Sequence, residues 1–561
     1  MQEESSNGLF TTSIQITQVH PKECDLNDQL CYPLYQRSRK RSVSNTTITT
    51  ETTSSSEHNK RPRLNNKQNA LWKLPNMLET FESFPPSFQT DFILQLLKKS
   101  SKSTLQLVNA WMTPGMKQDF ISNLPLEISR RILSYLDAFS LSRASCVCKK
   151  WKNIIDHDDT SWMNLLLRDG YTLVDPITKT RQAYKAACSR YKVLYARHHT
   201  LKQNWKKGRA ERKSFEGVEK FVVTCLQFDD EKIVYGADNA HVSIYDTETG
   251  KKRMTLNGHG GGVWALQYVG NTLVTGSTDR TVRVWDMETG KCTHIFTGHT
   301  STIRCLLVTK PTDDCPAMIV AGSRDSTLRV WRLPDPKDEA GHYYGEGVNP
   351  YFVHTLMGHR DSVRAVASHE HMIVSGSYDN TVRVWDIRTG RLIHVLEGHL
   401  QRVYSVVIDP DRNRCMSGSM DCHVRIWDLN TGECLKRLEG HSHLVGLLGL
   451  TNQYLVSAAA DTMLRVWSPE TGVCQHALSG HGSSITCFQH DDEKVISGSE
   501  GGLKMWDIKT GKFVRDLITD VECVWRVAFD ERRCIAAVLR LWCLQFVTIF
   551  FFLLSHLFLI G

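Results

Sequence analysis

The sequence has no Cys-x-x-Cys pair and no cysteine and histidine spacing of the zinc-finger type among its 561 residues. Its 17 cysteines are scattered singly, which predicts a reducing intracellular compartment and neither a structural metal nor a cofactor. Lys and Arg exceed Asp and Glu only by 68 to 60, so charge alone does not indicate a nucleic-acid-binding protein. Because no apolar stretch follows the acidic start of the chain, we expect no signal peptide.

The composition, with 41% hydrophobic and 23% charged residues, can bury a sizeable core and excludes a fully disordered, collagen-like or multi-span membrane protein. The length predicts three or four domains. One segment departs from this composition, because residues 541–561 contain no Asp, Glu, Lys or Arg and are long enough for a transmembrane helix.

Residues 1–70 are rich in Ser, Thr, Asn and charge and too poor in apolar side chains to offset chain entropy, so we expect a disordered leader. Two basic clusters, at residues 37–41 and 60–63, are short enough to fit the groove of a nuclear import receptor and predict a protein of the nucleus and cytoplasm. The alternative is a solvated run of charge.

Residues 71–112 have helical periodicity, as in Ile93, Leu96 and Leu97, and predict two short amphipathic helices. Helices of this size cannot form a core alone, so they must pack on a second copy of the chain or on the next domain.

The next domain, residues 113–168, opens with a Leu-Pro pair at a helix start and continues with aliphatic residues on one helix face. These aliphatics are too many for a small bundle to hide from water, which predicts a partner surface; the alternative is that all are core. The candidate partner-binding residues are Leu124, Pro125, Ile128, Ile132, Leu133, Leu136 and Trp151. Residues 169–215, rich in Lys, Arg and aromatics, predict a helical linker without a stacking platform for nucleic acid.

Seven units repeat in the C-terminal half, each ending on a Trp-Asp-like pair, from Tyr245-Asp246 to Trp506-Asp507. Gly-His pairs and Ser-x-Asp turns recur within them, and an eighth unit begins at Val521. The repeats are the WD-repeat signature. They predict a multidomain chain in which an all-α part precedes an all-β, eight-bladed WD-repeat propeller over residues 216–538.

Histidine, serine and aspartate recur together in these units, as in His299, Ser323 and Asp325. A nucleophile needs one activated copy, whereas these residues have counterparts in neighbouring units. With Trp331 they predict a buried hydrogen-bond chain inside the blade and no catalytic residue.

Some arginines appear in only some of the repeats, at positions that converge on one mouth of the central channel. Four guanidinium groups without compensating carboxylates repel one another unless an anion is bound, and a phosphate matches their charge and donor geometry. The sequence therefore predicts a phosphopeptide pocket. Its residues are Arg304, Arg324, Arg364 and Arg402, with Tyr378, Trp264, Thr278 and Thr302 adjoining them.

The Leu-Pro pair, the aliphatic helix and Trp151 resemble the F-box, and residues 71–538 are similar to the F-box/WD-repeat substrate receptors of Skp/cullin/F-box ubiquitin ligases, of the fungal cell-division-cycle type with animal counterparts. The resemblance implies a Skp-type adaptor bound to the F-box, a cullin and a RING protein beyond it, and dimerisation through residues 71–112. It implies a non-catalytic receptor for phosphorylated Ser/Thr-Pro degrons in cell-cycle control. It assigns phosphate binding to Arg304, Arg324 and Arg364, and further pocket positions to Arg402, Tyr378, Trp264, Thr278, Thr302 and Trp525.

After Val538 the family pattern would continue into the last strand of the eighth blade, but residues 539–561 form an atypical apolar tail. We therefore expect an incomplete last blade with an exposed strand edge. An altered C-terminus is preferred to a membrane anchor, because the basic clusters of nuclear type argue against an anchor. Rival functions are a phosphopeptide-binding scaffold or transcriptional adaptor without a ligase role, and a membrane-tethered WD-repeat protein.

Overall fold

The computed structural model describes residues 74–116, 119–173, 189–216, 221–312, 315–335, 338, 341–343, 349–540 and 543–551. The leader and its basic clusters lie outside these residues. The chain divides into a helical unit that ends at Tyr195 and a second unit that begins at Ala196.

Nine helices lie in the described ranges. They are α1 (Leu74–Glu82), α2 (Pro86–Lys99), α3 (Lys102–Met116), α4 (Phe120–Asn123), α5 (Leu126–Leu133), α6 (Ala138–Ala144), α7 (Lys149–Asp156), α8 (Asp159–Arg168) and α9 (Arg190–Lys207). The segment predicted to hold two amphipathic helices therefore contains three, α1 to α3. No residue of α1 or α2 is buried.

Helices α4 to α8 form a small bundle whose local sequence explains where each helix starts. Asp119 caps α4 by accepting a hydrogen bond from the Ser122 backbone N–H at 3.0 Å, and Pro125 precedes α5. The buried core of the bundle is built from Ile121, Leu133, Ala138, Leu141, Ala144, Ile155, Trp162 and Leu165.

The second unit contains 33 strands in the described ranges. In chain order, the strands before residue 390 are β1 (Glu211–Glu216), β2 (Val223–Phe228), β3 (Lys232–Ala237), β4 (Val242–Asp246), β5 (Lys252–Leu256), β6 (Val263–Val269), β7 (Thr272–Ser277), β8 (Val282–Asp286), β9 (Cys292–Phe296), β10 (Ile303–Val308), β11 (Met318–Ser323), β12 (Leu328–Arg332), β13 (Gly341–Tyr343), β14 (Phe352–Leu356), β15 (Val363–His369), β16 (Met372–Ser377) and β17 (Val382–Asp386). The strands after residue 390 are β18 (Leu392–Leu396), β19 (Val403–Asp409), β20 (Arg414–Ser419), β21 (Val424–Asp428), β22 (Cys434–Leu438), β23 (Val445–Leu450), β24 (Leu455–Ala459), β25 (Leu464–Trp467), β26 (Cys474–Leu478), β27 (Cys487–His490), β28 (Lys494–Ser499), β29 (Gly501–Asp507), β30 (Lys512–Val521), β31 (Cys523–Phe529), β32 (Arg533–Arg540) and β33 (Cys543–Phe550).

These strands form eight antiparallel blades, which confirms the predicted propeller. Blades 1 to 8 begin with β2, β6, β10, β15, β19, β23, β27 and β31. The first strand of each blade packs beside the first strand of the next, and β31 contacts both β27 and β2, so the ring is closed. Blade 2 carries a fifth strand, because β13, from the insertion in blade 3, pairs in parallel with β9.

The prediction of an incomplete eighth blade is wrong. Strand β33 pairs with β32 along its whole length, and β1 pairs with the other edge of β33. The aromatic ring of Phe546 is buried against Phe215 and Tyr235, and Phe551 stacks on Trp205 of α9 at 3.7 Å. The tail thus supplies the third strand of the blade, and a segment ahead of blade 1 supplies the fourth.

Two predicted boundaries change as a result. The propeller extends beyond residue 538 to include β33, and the predicted helical linker, residues 169–215, holds β1 at its end as well as α9. No helix in the described part of the chain is long and apolar enough to span a lipid bilayer. Residues 552–561 lie outside the described residues.

A buried hydrogen-bond chain recurs in the blades as expected, but with a different hydroxyl. In blade 5, His399 Nδ1 lies 2.8 Å from Asp421, its Nε2 lies 2.7 Å from the Ser417 hydroxyl, and Trp427 Nε1 donates to that hydroxyl at 2.8 Å. Ser417 is four residues before the aspartate, whereas Ser323 of blade 3 is two residues before Asp325 and bonds the backbone of Ser301. The Ser323 hydroxyl also accepts a hydrogen bond from the Asp325 backbone N–H at 3.2 Å. Ser323 therefore joins the chain through the backbone of Asp325 and does not link the histidine to the tryptophan.

Candidate functional site

The helical unit presents a face of exposed apolar side chains around α5. Ile128 and Ile132, one turn apart on α5, are 49% and 40% exposed, and Leu124 and Pro125 just before the helix are exposed as well. Several neighbours that were not predicted from the sequence share this exposure, namely Phe120, Leu126, Tyr135, Phe139 and Val147. So many large apolar side chains in contact with water indicate a protein-binding face.

Three of the residues predicted for this face lie in or against the bundle core instead. Leu133 is 2% exposed and packs in the core, so its prediction as a partner contact is wrong. Leu136 and Trp151 are half-buried against the same core. The Trp151 indole N–H donates to Asp119 at 2.6 Å, and hydrogen bonds from Ser122 and then Trp151 lower the pKa of Asp119 to about 2. This indole therefore ties α7 to the start of α4.

In the propeller, four of the predicted pocket residues occupy the same place in the first strand of their blades. Each lies at an irregularity where the first strand skips one pairing with the second strand. They are Trp264 in blade 2, Arg304 in blade 3, Arg364 in blade 4 and Trp525 in blade 8.

Backbone hydrogen bonds bring the turn residues of the pocket onto the start of the first strands. The Arg324 N–H donates to the carbonyl of Thr302 at 2.8 Å, and the Tyr378 N–H donates to the carbonyl of Ser362 at 2.9 Å. Equivalent bonds join Thr278 to Gly262 and Met420 to Arg402. Repetition of this bond from blade to blade places the turn residues at the same mouth of the channel as the strand residues.

Side-chain contacts link the predicted residues of neighbouring blades. The Arg304 guanidinium lies 5.7 Å from the centre of the Trp264 ring, and that of Arg402 lies 4.9 Å from the centre of the Tyr378 ring. Tyr378 in turn lies 5.1 Å from Tyr404, ring centre to ring centre. Tyr404 belongs to the pocket although it was not among the predicted site residues; its position in the repeat, equivalent to that of Arg304, was the available signal.

The four arginines differ in depth. Arg324 and Arg402 are exposed and Arg304 is half-buried, whereas Arg364 is 1% exposed and its three guanidinium nitrogens are shielded from solvent. No described residue accepts a hydrogen bond from those three nitrogens. Ion pairs with carboxylates are absent for all four arginines in the described ranges.

The electrostatics of the pocket follow from this clustering. Burial, together with the positive charges of Arg364 and Arg324, lowers the pKa of Arg304. Burial raises the pKa of the neighbouring Cys305 thiol to about 12, which leaves that group neutral. The pocket therefore holds a cluster of cations with no internal counter-charge, and it is suited to an anion.

Two of the predicted residues, Thr278 and Trp525, form neither a side-chain hydrogen bond nor a ring contact with the four arginines within the described ranges. Thr278 is half-buried near Gly261 on blade 2. Trp525 is half-buried against the core shared by blades 8 and 1, and its buried indole N–H has no acceptor among the described residues. Both border the mouth from their own blades.

Known protein families match both the helical part and the propeller of this chain. The F-box domain family matches residues 121–162, and the family "WD domain, G-beta repeat" matches six segments, 250–286, 290–332, 350–386, 390–428, 432–468 and 472–507. Cell division control protein 4 of Candida albicans is 46% identical over 483 residues, which cover 81% of this chain and 70% of that protein. The chain belongs to this F-box/WD-repeat family.

Other members and one solved structure extend the match. WD repeat-containing protein pop1 of Schizosaccharomyces pombe is 41% identical to this F-box/WD-repeat protein over 522 residues, covering 85% of the chain and 66% of pop1. The chain thus spans about two thirds of the length of these curated relatives. The crystal structure of the computationally designed Ika8 protein matches 60% of the chain and 98% of its own, with 30% identity and a TM-score of 0.52.

Proposed function

We propose that this F-box/WD-repeat protein is the substrate-recognition subunit of a Skp/cullin/F-box ubiquitin ligase. Its F-box binds a Skp-type adaptor and through it a cullin and a RING protein, and its propeller binds phosphorylated Ser/Thr-Pro degrons of target proteins. The targets are thereby directed to ubiquitination and proteasomal degradation, in cell-cycle control.

One observation carries the phosphodegron part of this proposal: Arg364 is buried with its whole guanidinium unpartnered, beside a half-buried Arg304. A buried charge without a counter-charge costs several kcal/mol. A cluster of this kind is stabilised when an anion enters, and a phosphoryl group brings nearly two negative charges and three acceptor oxygens.

The depth of the arginines suggests an order of contact. Arg324 and Arg402, which are exposed, meet the phosphate first, and the accessible end of Arg304 closes on it from blade 3. Arg364 lies beneath and attracts the phosphate through space, or reaches it after its side chain turns toward the mouth. Arg402 is held over the face of Tyr378, which limits its freedom and favours one orientation.

The rest of the mouth suits the residues that flank a phosphorylated Ser or Thr. Trp264 offers an aromatic face next to Arg304, and Thr278 and Thr302 lie on the adjoining turns. A half-buried indole beside small polar residues favours an apolar peptide side chain and the ring of a following proline.

The exposed apolar face around α5 supports the adaptor part of the proposal. Its exposed aliphatic and aromatic side chains provide the apolar centre that a stable protein interface needs. The chain then acts as a non-catalytic receptor, because holding a target near a ubiquitin-charged conjugating enzyme raises the rate by proximity alone.

Two further expectations belong to the same proposal. Helices α1 to α3 expose large apolar side chains along their length, Trp111 at 85% among them, which supports association with a second copy of the chain. A dimeric mass of the full chain in light scattering is expected. The basic clusters of the leader favour residence in the nucleus, which fluorescence microscopy of a tagged chain with and without residues 37–63 would test.

The pocket is tested by calorimetric titration of the full chain with a phosphothreonine-proline peptide. Arg324→Ala and Arg304→Ala should each weaken binding by about ten- to a hundredfold, since each charged hydrogen bond contributes about 1.5–3 kcal/mol. Arg437→Ala, on the exposed outer strand β22, is the matched control and should bind like the wild type. Unchanged affinity in the pocket variants would contradict the assignment.

A further inference from the structure

Arg526 occupies a place in the wall of the channel that other blades fill with small or apolar residues. It follows the pocket residue Trp525 directly in β31 and pairs with Ala537 just past the strand irregularity. The equivalent residues of blades 1 to 7 are buried and are Cys225, Ala265, Cys305, Ala365, Ser405, Leu447 and Cys487. A single arginine among seven small or apolar residues is not required by the blade fold.

The contacts of Arg526 join blade 8 to blade 1 at the level of the pocket. Its Nε donates to the backbone carbonyl of Thr224 at 2.8 Å, and a second guanidinium nitrogen donates to the same oxygen. The remaining nitrogen lies 3.4 Å from the carbonyl of Trp525. Thr224 is the residue of blade 1 that corresponds to Arg304 and Arg364, so the guanidinium bridges two neighbouring pocket positions.

Like Arg364, Arg526 has no carboxylate counter-charge in the described ranges, although two backbone carbonyls accept hydrogen bonds from its guanidinium. The residue is 8% exposed and forms no ion pair with a carboxylate in the described part of the chain. Burial lowers the pKa of Arg526, and the positive charge of Arg364 lowers it further, because the two cations repel each other. Arg533 of the same blade is equally buried but lies between the carboxylates of Asp530 and Asp230.

We propose that Arg526 is a positioning residue of the phosphate pocket. It holds Trp525 and Thr224 in the wall of the mouth and forms, with Arg364, a buried tier of positive charge beneath the exposed arginines. This tier strengthens binding of the phosphoryl group without touching it. The inference rests on the proposed phosphodegron function and adds a fifth arginine to the same site.

The test separates the charge of Arg526 from its hydrogen bonds. Arg526→Gln keeps an N–H donor for the Thr224 carbonyl and removes the charge, whereas Arg526→Lys keeps both a donor and the charge. In calorimetric titration of the full chain, Arg526→Gln should lose on the order of tenfold in affinity for the phosphorylated peptide, with Arg526→Lys close to the wild type. Weak binding of the unphosphorylated peptide should be the same in all three.

Thermal unfolding without peptide distinguishes this role from a structural one. Arg526→Gln should unfold no earlier than the wild type, because a buried unpaired charge is removed. Arg533→Gln, the matched control, should unfold at a lower temperature, because it leaves the carboxylates of Asp230 and Asp530 without their cation. It should cause no selective loss of affinity for the phosphorylated peptide.

Two results would overturn the inference. One is wild-type affinity in Arg526→Gln; the other is an equal loss of affinity and of unfolding temperature in Arg526→Gln and Arg526→Lys. A wild type that binds both forms of the peptide equally would instead overturn the proposed function.

Discussion

At the scale of single residues, blade 3 lacks one member of the hydrogen-bond chain. Ala321 stands where Thr275, Ser375, Ser417, Ser457 and Ser497 stand in blades 2, 4, 5, 6 and 7. The His299 Nε2 and the Trp331 Nε1 are consequently buried and have no partner among the described residues. Each unsatisfied group costs about 1–3 kcal/mol.

We predict that Ala321→Ser stabilises the propeller by about 1–2 kcal/mol, since one hydroxyl satisfies both the imidazole and the indole. Differential scanning calorimetry should show a higher unfolding temperature. Ser417→Ala is the reverse control, because it removes the same hydroxyl from blade 5 and should lower the unfolding temperature. No gain from Ala321→Ser would mean that blade 3 has already adapted to the missing hydroxyl.

The pocket arginines were predictable because the repeats align with one another inside a single sequence. Positions that vary from repeat to repeat, such as Arg304 and Arg364, can be told apart from positions that hold the same residue type in each repeat because the blade fold requires it. Their depth was not predictable, because the burial of Arg364 depends on side chains of neighbouring blades. Arg526 was missed because the irregular eighth unit lacks the Gly-His pair that sets the alignment.

At the scale of elements, the complete eighth blade is the largest difference between the structure and what the sequence predicted. An apolar run of this length fits a transmembrane helix and a buried strand alike. The aromatic and β-branched residues of β33, such as Val547 and Ile549, favour a strand. The partner strand β1 is charged and lies more than 300 residues earlier, so no local pattern indicates the pairing.

We predict that Phe546→Ala destabilises the propeller by about 3–5 kcal/mol, because the ring is fully buried between β1 and blade 1. Phe513→Ala, on β30 with its ring 48% exposed, is the control and should cost much less. Thermal unfolding of both variants, followed by circular dichroism, gives the comparison. Equal unfolding temperatures for the two variants would contradict the closure of the ring by β33.

At the scale of the whole molecule, the two proposed binding surfaces belong to separate compact units. The exposed face around α5 was predictable from its surplus of aliphatic residues. The core position of Leu133 was not, because exposed and buried aliphatic residues lie within the same turn of the helix. If the units act independently, each surface can be removed without affecting the other.

We predict that the double substitution Ile128→Asp, Ile132→Asp abolishes co-purification of a Skp-type adaptor, because two charges would be buried in an apolar interface. Phosphopeptide affinity should stay at the wild-type value. Val473→Asp, which charges an exposed apolar residue of the propeller, is the control and should retain the adaptor. A wild type that binds phosphopeptide but never an adaptor would favour a phosphopeptide scaffold without a ligase role.

If the proposed function is correct, the propeller distinguishes a phosphorylated peptide from its unmodified form. The most direct measurement is calorimetric titration of the wild-type full chain with one threonine-proline peptide in both forms, at two salt concentrations. We expect at least about a hundredfold tighter binding of the phosphorylated form, and this difference in affinity should decrease as the salt concentration rises. Equal affinity for the two peptides would contradict the proposed function.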